Sequence, residues 1–197
     1  MNLDELSQQT CEWLRAEGPD SDIVVSTRIR LARNLSDFPF IRRCTDIDRA
    51  GIESLVLRRL ELRPEFAGLQ RIDVESLDEL DRRFLVERQL ISRELAEAEG
   101  ARSLLLEPNE RLAVMINEED HLRLQVMKSG LQIAEAWQSI DRWDNLLQEV
   151  LQVAFHDRWG YLTACPTNVG TGLRVSVMVH LPALVQTRPA TSRISLL

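Results

Sequence analysis

The sequence predicts an α+β fold, a mostly antiparallel β-sheet flanked by helices that pack on one side. Three short apolar runs with strand spacing, at 103–106, 111–116 and 122–126, follow one another through tight turns. Strands that are joined so closely pair antiparallel. A longer run at 130–154 repeats its apolar residues at helical spacing. Sheet and helices in one chain of this length indicate a single α+β domain.

The first third of the chain alternates between helix and strand signals. Leu3–Ala16 has the apolar spacing of a short amphipathic helix, and Gly18–Pro19 ends it. Asp22–Leu35 opens with apolar, β-branched residues and predicts a strand. Asp46–Leu62 repeats apolar residues at helical spacing up to Pro64, which cannot continue a helix.

The remaining elements lead to a glycine-rich stretch near the end of the chain. Leu77–Glu99 is typical of one or two charged amphipathic helices. Glu118–Asp120 lie at the tip between two of the predicted strands. Tyr161–Ala164 predicts a strand that enters the glycine-rich stretch, and Val175–Leu181 predicts a strand that leaves it.

The bulk composition indicates a soluble cytoplasmic protein. A chain of 197 residues with 44% hydrophobic and 28% charged residues is large enough to bury a core. The net charge of −7 argues against a general nucleic-acid binder. The N-terminus lacks a signal-peptide pattern, and no run approaches the roughly 18 apolar residues of a membrane span. We therefore expect residues 1–197 to form one domain, with neither nucleic acid nor membrane as a partner.

The cysteines and histidines do not predict a metal centre. Three cysteines without a pairing pattern fit a reducing compartment better than a disulfide framework. No cysteine and histidine spacing resembles a zinc site. Cys11 and Cys44 are therefore expected to be structural, and His121 and His180 to pack or to form hydrogen bonds.

Cys165–Arg174 carries the most chemistry in the fewest residues. It combines a thiol, two glycines, an asparagine, two threonines and an arginine. Gly170 and Gly172 allow the backbone to approach a ligand closely or to adopt a positive φ, and Arg174 adds a rigid positive fork. A glycine turn within a sheet would use the same residues, so this stretch alone leaves both interpretations open.

Four arginines from three segments are candidates for an anion site. Arg28 and Arg30 share one face of the first predicted strand, because strand side chains alternate. Their guanidinium groups repel each other unless an anion or a carboxylate lies between them. Arg123 and Arg174 bring two more cations, and together the four could bind one polyanion with bidentate geometry. A solvated basic edge is the alternative for Arg28 and Arg30.

Three adjacent carboxylates, Glu118, Glu119 and Asp120, lie at a hairpin tip. Loop residues on a rigid scaffold often carry function, although a solvated acidic turn is the alternative. A guanidinium has a pKa above about 12 and is protonated in proteins. If it is to act as a nucleophile, it needs a carboxylate of this kind to orient it and to accept its proton.

Three segments occur in the order seen in the guanidino (phosphagen) kinases. They are Ser26–Arg30 (Ser-Thr-Arg-Ile-Arg), Asn117–Arg123 (Asn-Glu-Glu-Asp-His-Leu-Arg) and Cys165–Arg174 (Cys-Pro-Thr-Asn-Val-Gly-Thr-Gly-Leu-Arg). The longer stretches Ser21–Asn34 and Gly160–Arg174 most closely resemble the McsB-type protein-arginine kinases of bacteria. The resemblance implies the glutamine-synthetase-like catalytic domain of that family.

The resemblance also implies how the nucleotide is held. Arg28 and Arg30 would clamp the phosphates, with Arg123 and Arg174 beside them. Gln89 stands where the family commonly has histidine, and it would keep a hydrogen bond but no positive charge. The ATP-binding residues implied in this way are Ser26, Thr27, Arg28, Ile29, Arg30, Gln89, Arg123, Arg174, Val175, Ser176, Val177 and Met178.

For the chemical step, the resemblance implies three residues. Glu119 would accept the guanidinium proton, and Glu118 would help to hold Mg²⁺ through water, so that no side chain binds the metal directly. Cys165 would lie beside the substrate guanidinium, whose charge together with Arg174 would stabilise its thiolate. A half-buried structural cysteine is the alternative for Cys165.

The function implied is ATP-dependent phosphorylation of arginine side chains in proteins, with ATP and Mg²⁺ as cofactors. The implied partners are arginine-bearing proteins, by family a stress-response repressor and proteolysis clients. A catalytically impaired nucleotide-binding remnant and a small-molecule guanidino kinase are the alternatives. Relatives carry a later Arg-Gly-x-x-Gly-Glu loop that this sequence lacks. The catalytic domain is therefore expected to be incomplete at its C-terminus, with a divergent tail at 185–197.

Overall fold

The fold is built on one antiparallel sheet, and a computed structural model describes residues 6–182. The strands are β1 (Val24–Arg33), β2 (Gln70–Asp73), β3 (Ser103–Leu106), β4 (Leu112–Ile116), β5 (Leu122–Ser129), β6 (Phe155–His156), β7 (Gly160–Tyr161) and β8 (Leu173–Val179). Six of them form a sheet in the order β2-β3-β4-β5-β1-β8, and all neighbours pair antiparallel. β6 and β7 form a separate hairpin. The predicted α+β class and antiparallel sheet are confirmed.

The α-helices described here are α1 (Asp46–Leu60), α2 (Glu79–Glu87), α3 (Arg93–Glu97) and α4 (Ile133–Gln148). Three of them begin at a side chain that caps them, and α4 does not. Thr45 and Asp48 form a capping box at the start of α1, each satisfying the other's backbone N–H. Asp78 and Ser92 cap α2 and α3 by accepting a hydrogen bond from a first-turn N–H.

The two faces of the sheet bury separate apolar clusters. On one face, Ile29 and Leu124 belong to a core that includes buried residues of α1 and α4. On the other face, Met115 belongs to a second core with Leu85 and Leu95, from α2 and α3. The sequence predicted helices on one side only, whereas the sheet has them on both, because successive residues of β3 and β4 are all buried.

The second face is only partly covered, and this creates the cleft. The α2–α3 cluster includes residues of β2, β3 and β4, the outer half of the sheet. On the same face β5, β1 and β8 carry mainly polar and charged side chains. A cleft therefore runs along the boundary between α2–α3 and the strands β5 and β1, and an adjoining cavity reaches Arg174 of β8.

Several predicted elements are shorter than their patterns suggested. α4 starts at Ile133 rather than at Gly130, because Gly130 has φ +68° and the next N–H donates to the Pro19 carbonyl. It ends at Gln148, and the N–H of Ala154 instead donates to the Asn34 carbonyl. The predicted strand at 161–164 continues β7 only to residue 161.

The ends of the chain leave two expectations open. Residues 12–14 form a single 3₁₀ turn within the helix predicted at 3–16, whose first residues lie outside the described part. The predicted divergent tail at 185–197 also lies outside the described residues. Between residues 6 and 182, no helix is long and apolar enough to cross a membrane.

Candidate active site

The predicted arginines meet on the open face of the sheet. Arg30 of β1 lies opposite Arg174 of β8, and Arg28 lies opposite Ser176 in the same antiparallel pair. On the other side of β1, Arg30 is the partner of Gln125 in β5, two residues from Arg123. Directly paired residues and their i+2 neighbours share a face. The sequence-based prediction that these four arginines converge is consistent with this register.

A continuous cleft connects the arginines with the acidic tip. One cavity of about 420 Å³ is lined by residues that include Arg28, Arg30 and Arg123. An adjoining cavity of about 400 Å³ is lined by Arg30, Arg123 and Arg174 together with Glu118 and Glu119. Because Arg30 and Arg123 line both cavities, these two cations lie where the cavities adjoin.

The electrostatics of the cleft favour an anionic ligand. The pKa of Arg30 falls to about 10 because of burial and of the neighbouring charges of Arg28, Arg123 and Arg174. Burial, followed by Arg174 and Arg123, also lowers the pKa of Arg28. Among the described residues, the buried Nε of Arg30 has no hydrogen-bond partner. An oxyanion would satisfy that donor and relieve the repulsion.

Gln89 lies within the cleft, beside Arg28. Its side-chain oxygen accepts a hydrogen bond of 3.0 Å from Arg28 Nη1, and its own carbonyl accepts one of 2.5 Å from Gln125 Nε2. Its φ of +62° places the residue in the left-handed region, directly after α2. The neutral amide thus hydrogen-bonds to Arg28 and adds no charge, and its hydrogen bond to a nucleotide stays a prediction.

Glu118 is buried and held by three donors. Its Oε1 accepts a hydrogen bond of 2.7 Å from Ser92 Oγ and one from Arg123 Nη1, and its Oε2 accepts one of 2.8 Å from the N–H of Glu119. The residue is only 6% exposed. Arg123 therefore both pairs with Glu118 and lines the cleft. The contact of Glu118 with Ser92, at the start of α3, was not predicted from the sequence.

Glu119 differs from Glu118 in its environment. It is partly exposed and lines the chamber that also holds Arg30 and Arg174. Burial, then the charges of Asp120 and Glu118, raise its pKa above the ordinary value of 4.5, although Arg123 acts in the opposite direction. A carboxylate with a raised pKa beside a cleft has the properties of a general base.

Asp120 connects the acidic tip to the glycine-rich loop. Its Oδ1 accepts hydrogen bonds from Asn34 Nδ2 at 2.6 Å and from the N–H of Ala164 at 2.7 Å. Asn34 Oδ1 in turn accepts from the N–H of His121 at 2.9 Å. The sequence analysis named Asp120 only as a member of the tip, and no local signal revealed these partners.

Cys165 follows directly after this connection. Its Sγ lies 3.0 Å from Thr167 Oγ1, and the side chain is half-buried at the start of a 3₁₀ turn over 166–168. Its hydrogen-bond partner is thus Thr167 and not Arg174. The loop then passes Gly170 and Gly172, at φ +114° and +64°, before β8 begins.

Some predicted ATP-binding residues do not reach the cleft. The side chains of Thr27 and Ile29 lie on the opposite face, where Thr27 Oγ1 donates to the Gly130 carbonyl and Ile29 is fully buried in the core. Val175 and Val177 pair with Ile29 and Thr27, which places them on that face as well. Ser26, Ser176 and Met178 share the face of the arginines, in register with them.

The expectation that His121 packs and hydrogen-bonds is confirmed. It is fully buried, its Nδ1 accepts a hydrogen bond of 2.9 Å from the N–H of Leu35, and its Nε2 lies 2.8 Å from the Pro39 carbonyl. Burial lowers its pKa, which keeps the ring neutral. The described residues contain no group of three or more side chains arranged to hold a metal ion.

Solved structures of guanidino kinases share this fold. The chain superposes on taurocyamine kinase from Schistosoma mansoni with a TM-score of 0.78 and 23% identity, over 90% of this chain and 27% of that one. It superposes on lombricine kinase with a TM-score of 0.73 and 23% identity, over 91% and 55% of the two chains. At this level of identity the likeness establishes the guanidino-kinase fold.

The sequence comparison gives the family. Residues 52–195 match the family described as ATP:guanido phosphotransferase, C-terminal catalytic domain, and the chain belongs to that family. It is 47% identical over 181 residues to the protein-arginine kinase of Halothermothrix orenii, covering 92% of this chain and 52% of the relative. It is 44% identical over 191 residues to that of Bacillus mycoides, covering 95% and 54%. The chain thus spans about half the length of these relatives.

Proposed function

We propose that the protein transfers the γ-phosphoryl group of ATP to arginine side chains of other proteins. One observation carries the proposal: two cavities that share Arg30 and Arg123 are lined by four arginines, the other two being Arg28 and Arg174, and the second cavity is also lined by Glu119. Phosphoryl transfer needs positioning and charge stabilisation more than covalent chemistry. The relatives' name, protein-arginine kinase, and the family description support the same reaction.

In this proposal the arginines bind the nucleotide and Glu119 acts on the acceptor. A nitrogen of the substrate guanidinium bonds to the γ-phosphorus while the bond from that phosphorus to the β–γ bridging oxygen breaks. The electron pair of the broken bond leaves with ADP, and the guanidinium proton passes to Glu119. Its raised pKa suits it to that role. The phosphate charge that spreads in the transition state is stabilised by Arg30 and Arg174.

The cleft also fits Mg²⁺ bound mainly by the nucleotide. Glu118 already accepts three hydrogen bonds, and a carboxylate accepts about four. One acceptor position therefore remains for a metal-bound water, which agrees with the preference of Mg²⁺ for phosphates, waters and few carboxylates. When bound, the ion would neutralise phosphate charge. Ser92 and Arg123 would keep Glu118 oriented towards it.

Cys165 and the substrate class belong to the same proposal. The N–H of Ala164 donates a hydrogen bond to Asp120, which places Cys165, the next residue, near the acidic tip. A thiolate at that position would attract a guanidinium. The proposed substrates are arginine-bearing proteins, with a stress-response repressor and proteolysis clients as the classes to test. Three free cysteines are consistent with the proposed cytoplasmic setting.

The test is the appearance of acid-labile phosphate on arginine after mixing the chain, Mg·ATP and an arginine-rich protein. Glu119→Gln should reduce transfer by about 10²–10⁴-fold, the usual contribution of a general base. Free arginine as the acceptor tests the small-molecule alternative. Transfer that is equally fast in Glu119→Gln would overturn the proposal. ADP binding that depends on Arg174, without any transfer, would instead support a nucleotide-binding remnant.

A further inference from the structure

We propose that Arg33, which lies outside the cleft, is a positioning residue that fixes the glycine-rich loop and thereby places Arg174 at the nucleotide. The inference rests on the proposed function for the role of Arg174. Arg33 is the last residue of β1 and points to the face opposite the arginines of the cleft. It therefore acts through the loop and not on the substrate.

The anchor of Arg33 is a buried ion pair. Its Nε and Nη2 donate to the two carboxylate oxygens of Asp144, in α4, at 3.0 and 2.7 Å. The two residues are 3% and 5% exposed. A bidentate pair with this geometry fixes the guanidinium plane as well as its charge. Because α4 packs against β1, this plane is rigid relative to the sheet.

The free edge and face of the same guanidinium hold the loop. Nη1 donates to the carbonyl of Thr171 at 2.9 Å, and the guanidinium carbon lies 3.5 Å from the centre of the Tyr161 ring. Tyr161 in turn exchanges two backbone hydrogen bonds with Gly170, of 2.8 and 3.1 Å. Arg33 thus contacts the entry and the exit of the loop at once.

A second chain of hydrogen bonds links Tyr161 back to Asp144, the partner of Arg33, so the anchor is specific for this loop. The hydroxyl of Tyr161 donates to Gln148 Oε1 at 2.9 Å, and Gln148 Nε2 donates to Asp144 Oδ2 at 2.8 Å. Gly172 lies directly against the anchor, since a Cβ there would come within 2.6 Å of Arg33 Nη1. Moving the loop would break contacts on both sides of Arg33.

Arg174 follows two residues after Gly172 and needs such an anchor. It stands opposite Arg30, and like charges in that position push the strands apart. β8, the strand that carries Arg174, lies at the edge of the described sheet. The contacts of Arg33 with Thr171 and Tyr161 supply the restraint that keeps Arg174 in register before a nucleotide arrives.

Arg33→Lys tests this inference, with Arg102→Lys as the matched control. Arg102 is equally buried, at 4% exposed, and also donates to backbone carbonyls, those of Leu95 and Gly100, but far from the loop. Hydrogen exchange should accelerate at the amides of Gly170 and Gly172 in Arg33→Lys only. ADP affinity, measured by calorimetry, should fall about tenfold or more, because a displaced binding group contributes less to binding.

The outcomes separate this inference from the proposed function. Wild-type loop exchange in Arg33→Lys would overturn it, and so would faster exchange with unchanged ADP affinity, since Arg33 would then be structural only. If wild type neither binds ADP nor transfers phosphate, the proposed function fails, while the exchange data still show whether Arg33 holds the loop. Should Arg33→Lys not fold, Tyr161→Leu leaves the Arg33–Asp144 pair in place and must shift both measurements in the same direction.

Discussion

Arg30 and Arg174 stand directly opposite each other in adjacent antiparallel strands. Like charges in this position destabilise a sheet, and here Arg28 and Arg123 add further repulsion. In the described part of the chain, the buried Nε of Arg30 also lacks a partner. A pairing that is unfavourable in the empty protein is favourable once a polyanion bridges the two side chains. The repulsion between these arginines thus lowers the stability of the empty protein and favours the binding of an anion.

Arg174→Ala is expected to change the empty and the nucleotide-bound protein in opposite directions. Without nucleotide, the melting temperature should stay level or rise, because removing one charge relieves about 0.2–1 kcal/mol of repulsion. The rise in melting temperature caused by ADP should largely disappear. Differential scanning calorimetry with and without ADP measures both. A mutant that loses stability when empty and keeps the ADP shift would contradict this account.

Activity should depend on pH through Glu119. Burial, Asp120 and Glu118 raise its pKa, and the proposed base must be ionised, so kcat/KM should rise with pH around a midpoint above 4.5. Asp120→Asn removes one of these causes and should move the midpoint to lower pH. Rates measured across pH with both proteins test this. A midpoint at or below 4.5 in wild type is the contradicting result.

Glu119 should also reduce stability at neutral pH. Its carboxyl holds its proton to higher pH in the folded than in the unfolded chain, so the folded state binds more protons in the window above 4.5. Stability falls as the pH rises through that window. Glu119→Gln should therefore raise the melting temperature at pH 7 while it slows transfer. Equal melting temperatures at pH 7 would show that the carboxylate carries no such cost.

Asp120 permits a test that separates hydrogen bonding from charge. Both hydrogen bonds to its side chain, from Asn34 and from Ala164, go to Oδ1. Asp120→Asn keeps an oxygen at that position, whereas Asp120→Ala leaves two donors without their acceptor, at about 1–3 kcal/mol each. Urea unfolding should show the larger loss in Asp120→Ala. If both variants lose the same free energy of unfolding, the charge matters more than the hydrogen bonds.

Gln89→Glu should stabilise the protein without nucleotide and weaken its affinity for ADP. A carboxylate 3.0 Å from Arg28 Nη1 would form an ion pair there and compete with the phosphates. We expect higher stability without nucleotide and a weaker affinity for ADP, and the loss of affinity should shrink at high salt. Gln152→Glu adds the same charge at an exposed position and is the control. Equal effects of the two variants on ADP affinity would rule out a local competition.

The sequence was informative where the function depends on local spacing. The alternation of strand side chains correctly placed Arg28 and Arg30 on one face, and the tight turn placed Glu118 and Glu119 at a tip. It could not reveal the partners of Asp120 or Arg33, which lie 44 and 138 residues away in the chain. Such contacts depend on how the loop returns across the sheet, and only the assembled fold determines that.

Gly172 is the position where the loop tolerates substitution least. Its φ is +64°, and a Cβ would lie 2.6 Å from both the Ala32 carbonyl oxygen and Arg33 Nη1. The left-handed conformation alone should cost Gly172→Ala about 1–2 kcal/mol, to which the contact with rigid backbone adds. Gly68→Ala is the matched control, because a Cβ there meets nothing within 4 Å. Urea unfolding should show a loss in the first variant only, and ADP affinity should fall with it because Arg174 is displaced. Equal stability of the two variants would mean that the loop is free to move away from Arg33.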